Sequence, residues 1–195
     1  MNIALNFKDI QSIDHNIKFL DTKRNNIMDG EFTKILYSDK CVTLNGVYVI
    51  CPLHLYPQNM NAGVGANASA SANSSIVASR QRSINNANIY PYKNIITFQP
   101  NHPINSQIIH QFAQFEKQLI ALYKKYTLSK KTPVYSLQNQ LSSGNTKYYR
   151  EIQINTIANP STTNVWHIIK ISGIWETSQN IGITYKFLEM YEVSP

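Results

Sequence analysis

The sequence predicts a mainly β fold, a small Greek-key barrel with one amphipathic helix and two long loops. Three observations carry that expectation. Short β-branched and aromatic runs alternate with turn pairs, a single stretch holds a helical apolar period, and one late strand is apolar on both faces. At 195 residues, with 43% hydrophobic and 15% charged residues, the chain suits one domain spanning 1–195.

Ile3 to Phe7 reads as a first strand, and the Asp- and Asn-rich stretch from Asp21 to Gly30 as a loop. Phe32 to Leu55, FTKILYSDKCVTLNGVYVICPLHL, reads as a three-stranded meander joined at Ser38-Asp39 and Asn45-Gly46. A two-residue hairpin at Asn45-Gly46 sets Leu44 opposite Val47, Cys41 opposite Ile50 and Cys51 opposite Lys40. The two thiols are then diagonal neighbours that a disulfide could join only by a change of register, so both are expected to be reduced and buried. Residues 57–92 are dominated by Asn, Ala, Ser and Gly and hold too little apolar area to offset ordering entropy; they read as a mobile low-complexity loop.

Lys93 to Phe98 returns to strand. Pro103, with Asn105 or Ser106 as N-cap, opens a helix over roughly 105–127. Its apolar stripe is Ile108, Phe112, Phe115, Leu119, Leu122 and Tyr126, which is expected to lie on a sheet. Residues 128–147 form the second long connection, basic at its start and end. Strands follow at Tyr148 to Ile157, Asn164 to Glu176 and Ile181 to Val193; in the segment NVWHIIKISGI both faces are apolar, so that strand is central and covered on both sides. Trp166 and Trp175 lie in this apolar region and are expected in the core.

Charge is distributed unevenly. The formal net charge is +7, but residues 1–39 stand at −1 and residues 151–195 at −2, while residues 40–150 hold eleven basic groups against one acid, Glu116, and stand at +10. Solvated surfaces normally mix signs, so a span of that length with a single acid points to a polyanionic partner, nucleic acid before an anionic membrane. The favoured residue types Asn, Ile, Lys and Tyr share AT-rich codons. That bias explains some of the lysine but not the missing acids.

Other classes find little support. No apolar stretch approaches the roughly 20 residues that cross a bilayer, and the N-terminus lacks the basic and apolar regions of a signal peptide. An intracellular location, host cytoplasm or nucleus for a viral protein, is expected. The histidines His15, His54, His102, His110 and His167 are scattered and match no metal or catalytic spacing; Cys41, Cys51 and His54 fit no zinc pattern. The basic centre has almost no carboxylates for acid/base or two-metal chemistry, so neither an enzyme nor a cofactor is expected.

A family resemblance enters at the C-terminal strands. Ile171-Ser172-Gly173-Ile174-Trp175-Glu176, then Ile181-Gly182-Ile183-Thr184-Tyr185-Lys186-Phe187-Leu188-Glu189-Met190, resemble the OB-fold single-stranded-DNA-binding proteins of short-tailed phages, and more closely their distant relatives in nucleo-cytoplasmic large DNA viruses. The likeness covers about 160–193, extends to topology alone over 32–127, and is absent from both long loops. It implies an elaborated OB-fold, a Greek-key five-stranded barrel whose closing strand carries an early glycine, here Gly182. Phage members end in a strongly acidic tail that recruits replication partners. This chain ends in Glu189-Met190-Tyr191-Glu192-Val193-Ser194-Pro195, so that recruitment does not carry over.

Binding single strands without sequence preference needs cations for phosphates and aromatic faces for unstacked bases. The residues that interleave both are Tyr48 on the meander, Arg80 and Arg82 in the low-complexity loop, and Tyr90, Tyr92 and Lys93 at its foot. Lys124 and Lys125 end the helix, where they also complement its dipole. Lys130, Lys131 and Tyr135, with Lys147, Tyr148, Tyr149 and Arg150, bracket the second connection, which an OB fold would hold near its groove. The expected partner is single-stranded DNA, with viral replication proteins and further copies of the chain as secondary partners and no membrane. The alternative is a virion structural or assembly protein that uses the same basic surface, and a duplex DNA or RNA binder is a third reading.

Overall fold

A computed structural model describes residues 4–8, 10, 13–25, 29–55, 93–150 and 165–191, with the backbone alone at 93, 94, 150, 165, 166, 190 and 191. The low-complexity stretch 57–92, apart from the strand-forming residues that follow it, lies outside the described residues.

The chain opens with a single turn of helix, α1 (Ile13–Asn16), and a strand hairpin, β1 (Ile17–Asn25) and β2 (Gly30–Ser38). Short β3 (Thr43–Leu44) and β4 (Val47–Ile50) follow, then β5 (Lys93–Thr97) and the long helix α2 (Pro103–Thr127). β6 (Thr132–Val134), α3 (Ser136–Ser142) and β7 (Asn145–Arg150) precede the two long strands β8 (Val165–Glu176) and β9 (Asn180–Tyr191). The strands form one nine-stranded mixed sheet along the path β1-β2-β8-β9-β7-β5, with β3 on β2, β4 on β8 and β6 on β9. β6 and β7 run parallel to β9, and the other pairs are antiparallel.

The mainly β expectation holds and β8 is central, but the expected cover on both sides is incomplete, since Lys170 and Trp175 on the side away from the helices are partly exposed. The sheet, however, is not closed, and two short helices accompany the long one. The span expected as a loop at 128–147 carries β6 and α3. The loop expected from Asp21 also begins late, because β1 continues to Asn25 opposite Gly30. Of the expected first strand, Leu5 makes a bridge to Val49 and exchanges two backbone hydrogen bonds with β4.

Asn45-Gly46 does not close a hairpin. β3 pairs with β2, whereas β4 pairs with β8, so the turn transfers the chain from one partner strand to another. Gly46 has φ +105, and a Cβ there would stand 2.6 Å from the Ile171 carbonyl, so both conformation and space demand glycine. The tight closure lies earlier, where the Asp39 carboxylate accepts the backbone N–H groups of Cys41 and Val42 at 2.8 and 2.9 Å. Cys41 is therefore exposed on a turn, contrary to the expected burial, while Cys51 is buried and its thiol pKa is pushed far up by desolvation.

All three helices lie on one side of the sheet. Pro103 takes the first helical position of α2 behind His102, and the Asn105 side chain, expected as a cap, instead accepts the His54 N–H and donates to the carbonyls of His54 and Gln99. The buried stripe runs through Ile108, Phe112, Phe115, Leu119, Ile120 and Tyr123. Tyr123 completes it, while Tyr126, five full turns from Ile108 and in line with it, is exposed near the end of the helix with its ring 5.4 Å from that of Phe19. Phe112 meets Phe7 and Tyr123 meets Phe19 edge-on, with ring centroids 4.6 and 5.0 Å apart. The Tyr123 hydroxyl also bonds Thr33 Oγ1 at 2.8 Å, joining the helix to β2.

Glu116 fixes α3 to α2. Its two carboxylate oxygens accept the N–H groups of Leu137 and Gln138 at 3.0 and 2.9 Å, capping the first turn of α3 from a buried position. Leu137 and Leu141 of α3 are then fully buried against the core. The sole acid of residues 40–150 thus serves the interior. Among the described residues no helix is long and apolar enough to cross a membrane.

Two outcomes test this packing. Glu116→Ala leaves two buried donors without their acceptor, and a loss of about 1–3 kcal/mol per unsatisfied group is expected in denaturant titration. Burial holds the Glu116 carboxyl above its ordinary pKa, against the opposing hydrogen bonds from Gln138 and Leu137. The fold therefore favours the protonated acid. Its contribution is complete below the ordinary glutamate pKa and fades as pH rises through the elevated one, so Glu116→Gln should flatten that limb of the stability profile. For the cysteines, a thiol reagent should modify one equivalent in the native protein and two after unfolding.

Candidate nucleic-acid interface

Strand alternation divides the sheet into two unlike faces. Toward the helices point Thr33, Ile35 and Tyr37 of β2, Val47 and Val49 of β4, Ile169, Ile171 and Ile174 of β8, and Ile181, Ile183 and Phe187 of β9, all buried. The opposite face carries Phe32 and Lys34 of β2, Tyr48 of β4, Lys170 and Trp175 of β8, Lys186 of β9, and Lys147 and Tyr149 of β7. Every one of these is partly or fully exposed. Ile168 and Leu188 also stand on this side, buried and outside the main core cluster, and give it an apolar floor.

The two faces stay in phase through a bulge. The β8–β9 register shifts between Ile171 and Gly173, with Ser172 as the extra residue. Ile171 and Ile174 can thereby both point inward, while Lys170 and Trp175 both point outward.

At the centre of the outer face Lys170 lies directly opposite Lys186 in the register, and Tyr48 opposite Lys170 on the other side. Lys170 Nζ sits 4.8 Å from the centroid of the Tyr48 ring, and Lys186 Nζ 5.7 Å from that of Tyr149. Lys147 and Tyr149 share this side of β7, as the register with β5 and β9 requires. The acids of these strands, Glu31, Glu176 and Glu189, all fall on the helix side by alternation, and Glu176 and Glu189 are buried. Two lysines facing each other across a strand pair weaken the pairing. Among the described residues of these strands no carboxylate stands on the same face to relieve them.

Beside this centre the sheet splits. β7 meets β9 only over Tyr148–Arg150, and below that pairing a cleft of about 380 Å³ opens, lined by Ile95, Lys147, Tyr149, Lys186 and Phe187 with Gln140 of α3. Cations, aromatic rings and an amide converge there.

The residues singled out from the sequence separate into groups. Tyr48, Lys147 and Tyr149 meet on the outer face. Tyr148 points inward, packed on the core with its ring 5.7 Å from His167 in an edge contact. Burial lowers the His167 pKa, with Glu189 opposing that shift. Tyr135 precedes α3, with Lys117 Nζ 5.6 Å from its ring. Lys131 pairs with Glu176 at 2.6 Å, and Lys124 donates to the Lys131 carbonyl at 2.8 Å, so both hold the end of α2 against β8. Exposed Lys130 lies beside that pair, and Lys125 on the flank of α2 near Asp14. The Lys131 group stands at the far end of β8 from Lys170, six residues or about 20 Å along the strand. The register places Lys93 opposite Tyr149 and Arg150 opposite Glu189, with neither side chain described. Arg80, Arg82, Tyr90 and Tyr92 lie outside the described residues.

Sequence reading missed Lys170, Lys186 and Lys34 because they belong to segments of negative net charge. The signal was present in the alternation: each is a single cation at an outward position of a strand otherwise built for burial. Trp175, expected in the core, is on the outer face too.

No protein-family model matches the chain, and neither a curated protein nor a solved structure is similar to it.

The roles of the lysines should separate in a thermal melt. Lys131→Ala strands the buried Glu176 carboxylate and is expected to cost about 1–3 kcal/mol. Lys147→Ala and Lys186→Ala, on the exposed face, should stay within about 0.5 kcal/mol of the parent.

Proposed function

We propose that the protein binds single-stranded DNA without sequence preference through the outer face of its sheet. The observation that carries the reading is the Lys170–Lys186 pair, opposed across two strands, flanked by Tyr48 and Tyr149, on a face from which Glu31, Glu176 and Glu189 of β2, β8 and β9 are turned away. Phosphates would relieve the repulsion between the lysines. Unstacked bases would find the tyrosine rings, each stack contributing about 1–3 kcal/mol. A broad sheet presents rings side by side, which suits splayed bases better than the stacked edges of a duplex.

The elaborated OB-fold that the resemblance implies would perform this task from a closed sheet; the open sheet would perform it from the side opposite the helices. The biological role that goes with the reading is the coating of strands exposed during viral DNA replication, recombination or repair.

A salt-titrated binding curve with oligo-dT tests it. With Lys34, Lys147, Lys170 and Lys186 engaged, log affinity should fall against log salt with a slope of about −3. Replacing Lys147, Lys170 and Lys186 with Ala should reduce the slope's magnitude by about 2, while the Lys124, Lys125 and Lys130 triple variant should leave it unchanged. Equal affinity for duplex of the same length would favour the duplex reading. No binding to either would turn the basic face toward the assembly role.

A further inference from the structure

The outer face continues beyond Tyr48 and Tyr149 to a second pair of rings. Phe32 and Trp175 are direct partners in the β2–β8 register, and each lies on a glycine. A Cβ at Gly182 would stand 2.6 Å from Cζ2 of Trp175, and one at Gly173 would stand 2.5 Å from Cζ of Phe32. The missing side chains let both rings settle onto the backbone. Trp175 Nε1 donates to the Ile183 carbonyl at 3.1 Å, which fixes the plane of the indole. Neither ring belongs to the hydrophobic core, and both are partly exposed.

Cations surround this pair as they surround the first. Lys34 is opposite Gly173, next to Phe32 on the same face, and exposed Lys23 of β1 is opposite Phe32. Covering Gly182 and Gly173 explains where the two rings lie. It does not explain the cations that border them, Lys34 of β2 and Lys23 of β1, which outnumber the one acid near that edge, exposed Asp21 in the β1 bulge across from Lys34.

We propose that Phe32 and Trp175 form a second base-stacking station. Single-stranded DNA then runs along β8 from the tyrosines at Lys170 to this pair, its phosphates crossing Lys170, Lys186 and Lys34. This rests on the binding function proposed above and adds a direction and a minimum length to the site. A strand too short to reach both stations would use only one.

The test uses the Trp166→Phe protein, in which Trp175 is the sole remaining tryptophan of two. Oligo-dT of about four and about twelve nucleotides, spanning the range of single-strand sites, would be titrated while indole emission is followed. The longer strand is expected to quench Trp175. In the parent chain Trp175→Ala and, separately, Phe32→Leu should weaken the longer strand about five- to hundredfold and the shorter one far less, with Trp175→Phe retaining most of the affinity. Two variants on different strands, each with the short oligonucleotide as an internal control, distinguish a lost contact from a lost fold. Unchanged emission, or unchanged affinity of both variants for the longer strand while the parent binds it, would overturn the second station and leave the first intact. Failure of the parent to bind either strand would overturn the binding function itself.

Discussion

One extra residue in β8 governs the molecule. At Ser172 the strand shifts register against β9, and there it also changes partner on its other edge, from β4 over Ile168–Ile171 to β2 over Gly173–Glu176. A slip of one residue along a strand reverses the faces of everything beyond it. Ser172 absorbs that residue, so isoleucines before and after it remain under the helices and Lys170 and Trp175 remain outside. The core and the chemically distinct outer surface both depend on the same irregularity.

The interior is closed by polar contacts that each join elements remote in sequence. Glu116 ties α3 to α2, Lys131 ties the end of α2 to β8 through Glu176, and the Thr22–Thr33–Tyr123 hydroxyl chain, with contacts of 2.6 and 2.8 Å, links both strands of the first hairpin to the long helix. Acids are thereby consumed on the helix side. The division of charge between the two sides of the sheet is a by-product of how the core is fastened.

Much of the architecture was legible in the sequence, because strong periodicity survives any tertiary context. The long helix and the last two strands lie within a residue or two of where their patterns put them, and the two-faced apolar pattern of NVWHIIKISGI identified the central strand. The Asn45-Gly46 turn misled, since the residues that favour a hairpin also suit a chain passing between partner strands, and only the proximity of Ile171 distinguishes the two. α3 was hidden because its seven residues lack a period of their own and depend on Glu116, twenty residues upstream. Of the candidate site, the basic centre named Lys147, Tyr149 and Tyr48, which share the outer face, and Lys131, which pairs with Glu176 instead. Summing charge by segment concealed Lys170 and Lys186, because it does not register which side of a strand a cation occupies.

The internal use of Glu116 has a kinetic consequence. With Glu116, Glu176 and Glu189 all buried, the lysines at the centre of the outer face, Lys147, Lys170 and Lys186, present a local field of one sign, and such a field would draw a polyanion in from beyond contact range and turn it before it lands. Capture would then be limited by diffusion and sharply slowed by salt, while release would depend on how well the rings hold the bases. On the proposed reading, encounter and grip would be supplied by different groups on the same face, which would suit strands exposed only briefly.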